Sequence, residues 1–375
     1  MATQTSNIES QLMESIPATM QAVVYRGVND MRIETVPVPE IGPGELLIKV
    51  ATCGICGTDL KKIHTGSHSA PRIFGHEMAG TIVKVGDGAR FAVGERVVVH
   101  HHVPCGNCYN CRKQTPTQCT LYKKVGVTAG FEPSGGGFAE YIRVMDWITA
   151  SRGVVRIPDG VPFEQAAFAE PLNTVMKGVK LLNLQDDDTV LVIGQGPIGL
   201  MHAALAHRTG ARVLTSDLYP ERHAIAAKFG LKDPIHAGSE NVVERVFAET
   251  EGRGADAVIL AVGGNALIRT AMDAVRPGGK VMLFAQTQHG EAIIDPGAVC
   301  MDEKTLMGSY SSSFDILDEV TDLVFGGYRN GFNLTQLISH RFPLDQAVEA
   351  IEIASHPKGD SMKIMLEPVL GAGAE

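Results

Sequence analysis

Four cysteines, Cys105, Cys108, Cys111 and Cys119, stand at C-x2-C-x2-C-x7-C spacing in CGNCYNCRKQTPTQC. Thiolates this close can close a tetrahedron around Zn²⁺ with no position left open, the arrangement of a structural zinc. Four free thiols, or two disulfides in a secreted loop, are the competing readings of the same spacing. A closed site does no chemistry, so reactive groups must lie elsewhere. Upstream, CGICGTD (53–59) supplies Cys53 and Cys56, GHE (75–77) supplies His76 and Glu77, and FAEPLNT (168–174) supplies Glu170. One Cys, one His and one or two carboxylates can hold Zn²⁺ and keep a position for water or substrate. The spacing permits that site without showing that residues 56, 76 and 170 meet. Downstream, Gly194-Gln195-Gly196-Pro197-Ile198-Gly199 reads G-x-G-x-x-G, with Asp217 at the end of the next strand. Such glycines allow a tight turn and close approach of a pyrophosphate to a helix N-terminus. Asp217 would accept from ribose hydroxyls and repel a 2′-phosphate, which favours NAD over NADP. Arg222 either pairs with a phosphate, lines the ribose edge or is solvated.

These residues need elements to hold them. From Met20 to about Ala150 the chain reads as short β-branched strands between Gly, Pro and Asp turns: LLIKV (46–50), GTIVKVG (80–86) and GERVVVH (94–100). That texture predicts a barrel-like antiparallel domain. From about Phe163 strands and helices alternate. TVLVIG (189–194), RVLTSD (212–217), ADAVILAVG (255–263) and GGKVMLFA (278–285) are apolar strands, with PIGLMHAALAHRTG and PERHAIAAKFG as helices between. Continuous apolar strands between helices predict a parallel sheet covered on both faces. Val262, at the end of its strand, joins the expected cofactor-binding set. Near the C-terminus ISHRFP and KIMLEP read as strands, and LDQAVEAIEIASH as a helix with Asp345 near its start. His100, His101 and His102 follow an alternating strand, so they cannot all converge on a metal.

The chain of 375 residues implies two domains, and 44% hydrophobic with 20% charged residues is a soluble globular composition. A net charge of −9 without a long basic run argues against nucleic acid or an anionic membrane as partner. No apolar run reaches transmembrane length, and residues 1–19 lack the plan of a secretory signal. Those residues are expected to form a flexible or partner-facing extension. Seven cysteines, an odd count, suit a reducing compartment, so a cytoplasmic location is expected.

In order along the chain, GPGELLIKV, CGICGTD, GHEMAGTIVKVG, GERVVV, the four-Cys lobe, GGGFAEY (135–141), EPLNT, GQGPIG with Asp217, and RPGGKV (276–281) resemble the zinc-dependent medium-chain dehydrogenases. That family includes alcohol, sorbitol and threonine dehydrogenases. The resemblance runs from about Met20 to the C-terminus. It implies a GroES-like β-barrel catalytic domain from 1–171 and 309–375, with a Rossmann domain at 172–308. It implies two zinc ions per chain: a catalytic one on Cys56 and His76 with Glu77 or Glu170, and a structural one on the four-Cys lobe. Glu170, where liver-type members carry Cys, draws the chain toward polyol, threonine and bacterial secondary-alcohol members. Thr58 matches the hydroxyl that takes the alcohol proton, Asp59 a supporting acid, and Thr174 a residue near the nicotinamide face. Where the family often relays the proton through His, this chain has Lys61. Lysine is protonated at neutral pH and is a poor relay. Cys53 reads as core. The implied activity is NAD-dependent oxidation of a small secondary alcohol, a polyol or sugar-derived hydroxyl, by a homo-oligomer (tetramer or dimer). Threonine-dehydrogenase-like oxidation of an amino alcohol is the alternative. A non-catalytic dinucleotide-binding protein is a further one, disfavoured because Cys56, His76 and Thr58 are all retained. Phe131, Trp147 and Tyr310 are pocket candidates.

Overall fold

The computed structural model describes residues 16–100, 102–122, 136–285 and 290–368. The chain divides into two compact units. The first contains residues 1–170, 313–357 and 363–375, and the second 171–312 and 358–362.

The first unit is mainly antiparallel β. Its first eight strands are β1 (Thr19–Gly27), β2 (Asp30–Pro37), β3 (Leu46–Gly54), β4 (Arg72–Ile73), β5 (Glu77–Val85), β6 (Arg96–Val99), β7 (Tyr141–Val144) and β8 (Val154–Arg156). The second unit holds β9 (Thr189–Ile193), β10 (Arg212–Asp217), β11 (Ile235–His236), β12 (Ala255–Leu260), β13 (Val275–Leu283) and β14 (Thr305–Gly308). The chain then returns to the first unit with β15 (Ile338–Phe342) and β16 (Lys363–Leu366). In the first unit β2-β1-β4 form a small sheet, and β15-β16-β3-β5-β6-β8 a large one, with β7 also on β3. β1 starts at Thr19, inside the segment expected as an extension, because Ala18 already accepts from the Val38 amide and Ile16 packs on the core. Residues 1–15 lie outside the described residues.

The second unit is a six-stranded sheet in the order β11-β10-β9-β12-β13-β14, every pair parallel. This is the doubly wound Rossmann order. All five residues of β9 are buried, as a central strand covered on both faces requires. Each buried Val, Leu or Ile there contributes about 1.5–3 kcal/mol. Three boundaries differ from expectation, the first only by one residue, since the first unit's opening segment ends at Glu170 and not at 171. The chain leaves the Rossmann unit after Ser312, not after residue 308. The Ser309 amide donates to Leu283 and the Tyr310 carbonyl accepts from Lys177, which extends the tie past β14. Residues 358–362 also belong to this unit, held by Arg222, which donates to the carbonyls of Lys358 and Ser361. The helix read from LDQAV starts at Ala347, after a 3-10 turn over Leu344–Gln346. Among the described residues no helix is long and apolar enough to cross a membrane.

Candidate metal and cofactor sites

Strand pairing brings the two upstream motifs together. β3 runs antiparallel to β5 with Gly54 opposite Glu77, so CGICG ends beside GHE. The chain then turns at Cys56 into the helix Gly57–Thr65. Cys56 caps that helix: its sulfur accepts from the Thr58 amide at 3.4 Å, and Asp59 accepts from the Cys56 amide at 3.1 Å. The cap fixes the sulfur at the positive end of the helix dipole. Cys56, His76 and Glu77 each offer one ligand atom, and these atoms lie within 4.8 Å of one another. A soft sulfur, an imidazole and a carboxylate converging at that spacing fit a zinc with a position to spare. Asp59 is fully buried and accepts from, or pairs with, His76 Nδ1 at 3.1 Å, which turns the other ring nitrogen toward the cluster. Burial opposes charge on His76, yet the Asp59 carboxylate holds its pKa well above the ordinary value.

Glu170 lies outside the tight trio but within its field. Burial first, and then the Glu77 charge, push its pKa to about 7, while His76 and Lys363 pull the other way. Thr58 is exposed at the start of the helix, next to Cys56. Cys53 is wholly buried, and burial raises its thiol well above the ordinary range, so it faces the core as expected.

Sequence reasoning missed Lys363. Its ammonium sits on Glu77 Oε2 and donates to the Ile55 carbonyl at 3.0 Å. β16 pairs with β3 at Met365–Gly54, which brings Lys363 alongside. Gly54 makes room: a Cβ there would overlap Glu77 Oε2 and the Lys363 side chain. Burial opposes the charge of Lys363, but Glu77 and Cys56 raise its pKa above the ordinary value. Nothing in KIMLEP marks this lysine, since its partners lie some three hundred residues away. A clue was the glycine, which a strand tolerates where another group comes close.

The four-Cys lobe is folded around its sulfurs. Cys108–Cys111, Cys105–Cys119 and Cys105–Cys111 lie 3.5, 3.6 and 4.0 Å apart, all as free thiols. A tetrahedron with Zn–S bonds of about 2.3 Å has edges of about 3.8 Å. The residues fit a closed zinc site. Cys108 precedes the helical turn Tyr109–Arg112, and the Asn110 side chain ties that turn to Gln118. His100 and His102 are structural: burial lowers their pKa values to about 4 and about 3, and His102 stacks on Tyr122 at 4.6 Å. His101 lies outside the described residues.

In the Rossmann unit Gly194 adopts φ +100°, and Gly196 precedes the helix Pro197–Arg208 with open space beside it. Ile198 and Gly199 follow in the first turn of that helix. A Cβ on Gly199 would overlap the Gly194 carbonyl. The first glycine thus makes the turn, the second leaves room for a phosphate, and the third lets the helix approach. Val262 packs beside Gly194. Asp217 accepts from the Gln195 amide at 2.6 Å and the Tyr219 amide at 2.9 Å. Arg222 is not solvated: it pairs with Asp217 at 3.2 Å, lies over the Tyr219 ring, and its side chain is 12% exposed. The Thr174 hydroxyl donates to the Pro171 carbonyl. Trp147 is half-buried against the core and Tyr310 is exposed. Phe131 lies outside the described residues.

A Rossmann sheet with a glycine-rich turn, joined in one chain to a β unit bearing two metal-ligand clusters, defines a metal-dependent nicotinamide oxidoreductase. Comparison with known proteins agrees. The alcohol dehydrogenase GroES-like domain matches residues 42–159, and the zinc-binding dehydrogenase domain residues 197–326. The chain is 30% identical to sorbitol dehydrogenase of Bacillus subtilis over 364 residues, 95% of this chain and 99% of the relative. It is 34% identical to L-threonine 3-dehydrogenase of Sinorhizobium medicae over 345 residues, covering 89% and 94%. A solved structure from Sinorhizobium meliloti 1021, described as a zinc-binding dehydrogenase with NADP bound, superposes with TM-score 0.83 at 29% identity, covering 94% of this chain and all of that one. The chain belongs to the zinc-dependent medium-chain dehydrogenase family. Its class is that of an NAD(P)-dependent oxidoreductase acting on alcohols.

Proposed function

We propose that this enzyme oxidises a small secondary alcohol, a polyol or sugar-derived hydroxyl, with NAD as acceptor, and holds two zinc ions per chain. The convergence of Cys56, His76 and Glu77 beside Thr58 carries the reading. Those three residues would hold the catalytic zinc, with Glu170 at the remaining position directly or through water. Cys105, Cys108, Cys111 and Cys119 would hold the structural zinc. When bound, zinc acts as a Lewis acid that eases loss of the alcohol proton. The nicotinamide, when bound, accepts the hydride. Overall a secondary alcohol and NAD⁺ give a ketone, NADH and a proton.

The chain's own residues divide the remaining work. Thr58 takes the hydroxyl proton and hands one outward. Asp59 fixes the His76 ring. Lys363 restrains Glu77 and offsets the second carboxylate. Gly194, Gly196, Pro197, Ile198 and Gly199 cradle the pyrophosphate, and Thr174 and Val262 flank the nicotinamide side. Asp217, steadied by Arg222, receives the ribose hydroxyls and disfavours a 2′-phosphate. Oxidation of a threonine-like amino alcohol is the second reading, favoured by the 34% identity to a threonine dehydrogenase. Exposure of Ile293 and Met301, 88% and 85%, supports a homo-oligomer, tetramer or dimer. Seven free thiols support a reducing, cytoplasmic setting. NADH formation by the purified zinc-loaded protein over a panel of polyols, sugars and threonine tests the reading. Absence of NADH with every secondary alcohol would overturn it.

A further inference from the structure

Asp217 has company at the end of its strand. β11 runs parallel to β10 with Asp217 opposite His236, and the Ala237 amide donates to the Asp217 carbonyl at 3.0 Å. Residues opposite one another in parallel strands project on the same face, with backbones about 4.8 Å apart. The helix between the two strands, Glu221–Ala227, covers that face. Its Arg222 reaches the Asp217 carboxylate at 3.2 Å. Its His223 meets the His236 ring edge-on, with centroids 6.1 Å apart and planes at 80°. The carboxylate expected to receive the adenosine ribose is therefore bordered by one guanidinium and two imidazoles.

The two rings are not fully satisfied. His236 Nδ1 shares a hydrogen bond with the Ser239 hydroxyl at 2.7 Å, whereas His223 Nε2 is buried with no partner. A buried polar atom without a partner is costly, and a ligand group that supplies one removes the cost. The charged groups around the pair are Asp217 on β10, Glu221 and Arg222 on the covering helix, and Glu240 after β11. Glu240 is engaged elsewhere: it accepts from the His236 amide at 2.8 Å and pairs at 2.8 Å with Arg245 of the helix Val242–Glu249. Burial first, and then His236, hold the His223 pKa below its ordinary value, against the pull of Asp217, Glu240 and Glu221. An imidazole without its proton adds no charge, so Asp217 then decides which cofactor is admitted. A protonated imidazole adds a positive charge at the ribose end of the site.

We propose that His223 and His236, with Arg222, are a second determinant of cofactor choice: protonated, they receive the 2′-phosphate that Asp217 repels, so discrimination against NADP weakens as pH falls. This rests on Asp217 receiving the ribose, as proposed above, and adds the residues and the pH dependence of the choice. At high pH imidazoles are neutral, the Asp217 charge opposes a phosphate dianion, and NAD is favoured. As pH falls the rings gain charge and offset that opposition. By linkage, a 2′-phosphate that prefers the protonated rings must draw protons onto them. A phosphate monoester itself gains a proton near about pH 6, which eases its entry whatever the rings do. Variants that lack the rings isolate that part.

The test is calorimetric and uses the purified protein with two cofactor fragments, 5′-AMP and 2′,5′-ADP, which differ only in the 2′-phosphate. Between about pH 8 and about pH 6 the affinity for 2′,5′-ADP relative to 5′-AMP should rise by about fivefold or more, the lower end of ordinary coupling. Titrations repeated in buffers of different ionisation heat should show a proton uptake with 2′,5′-ADP that 5′-AMP lacks. H223Q and H236Q should each flatten the pH dependence and reduce the uptake, whereas H223K should strengthen 2′,5′-ADP binding at high pH. H223Q alone carries the test should H236Q fail to fold. A relative affinity that is flat with pH, or a pH dependence and proton uptake that are the same in the wild type and the folded Gln variants, would overturn the determinant while leaving NAD-dependent oxidation intact. Binding of 5′-AMP that is indifferent to D217A, or no binding at all, would instead refute the ribose role of Asp217.

Discussion

Thr58 and Lys61 stand three residues apart on one helix, yet the chemistry asks different things of them. A hydroxyl can take one proton while releasing another, whereas an ammonium is a donor with no lone pair to accept one. Thr58→Ala should therefore cut kcat for alcohol oxidation by about 10²–10⁴, the usual weight of a positioned proton acceptor. Lys61→Ala should keep most of the turnover and leave the pH profile of kcat nearly unchanged. A large loss in Lys61→Ala, restored by small amine buffers, would make Lys61 the relay. Lys363 invites a stability measurement. Removing one partner of a buried ion pair costs about 3–5 kcal/mol because the other charge is stranded. Metal-free Lys363→Met should unfold at lower denaturant, and adding Glu77→Gln should recover much of the loss. Strict additivity of the two would show that the pair is not coupled. The sequence displayed Cys56, His76, Glu77 and Glu170 because their motifs are compact. It hid Lys363, whose role is set by strand pairing between distant segments and by nothing next to it in the chain.

Strands and helices were legible where pattern and burial agree. TVLVIG reads as a buried parallel strand because all five residues of β9 are buried and all but Thr189 are apolar. The turn after it was legible because each glycine has a steric reason. The helix PERHAIAAKFG was legible too, but the setting of Arg222 on it was not. An arginine five residues past Asp217 looks solvated until the segment 358–362 is seen to cover it, and that contact spans more than a hundred residues. The arrangement sharpens the cofactor prediction. Asp217→Asn keeps an oxygen for only one of the amides of Gln195 and Tyr219, which bind different carboxylate oxygens, and removes the charge. It should raise KM for NAD and reduce discrimination against NADP by about tenfold or more. Initial rates with both cofactors measure this. A wild-type enzyme that already prefers NADP would transfer the decision to Arg222.

On the scale of the whole molecule, the fold buries imidazoles that cannot be charged. His202 is fully buried in the Rossmann unit, against Phe284 at 4.4 Å, with neither ring nitrogen hydrogen-bonded. Burial lowers its pKa to about 3. The unfolded chain gains that proton near pH 6.5, the folded one only near 3. Stability from this group is complete above about pH 6.5 and falls by about 1.4 kcal/mol per unit as pH drops toward 3. His202→Leu should flatten the loss of melting temperature between about pH 7.5 and pH 5, a difference of about 2 kcal/mol. Equal losses in both proteins would assign the acid sensitivity elsewhere, first to His100 and His102. The two-part plan of the chain was legible from its change of texture. Its return at Ser313 and its brief loan of 358–362 to the other unit were not, since contacts between segments far apart in the chain set them.

Graded chelation of the purified enzyme, with zinc content and NADH formation followed together, distinguishes the catalytic metal from the structural one. The closed four-thiolate lobe should keep its metal, while the Cys56–His76–Glu77 cluster, with harder ligands and an exchangeable position, should release its zinc first. The expected result is two zinc ions per chain, loss of alcohol oxidation in step with the first, and recovery when zinc is returned. Full activity after one equivalent has left would contradict it.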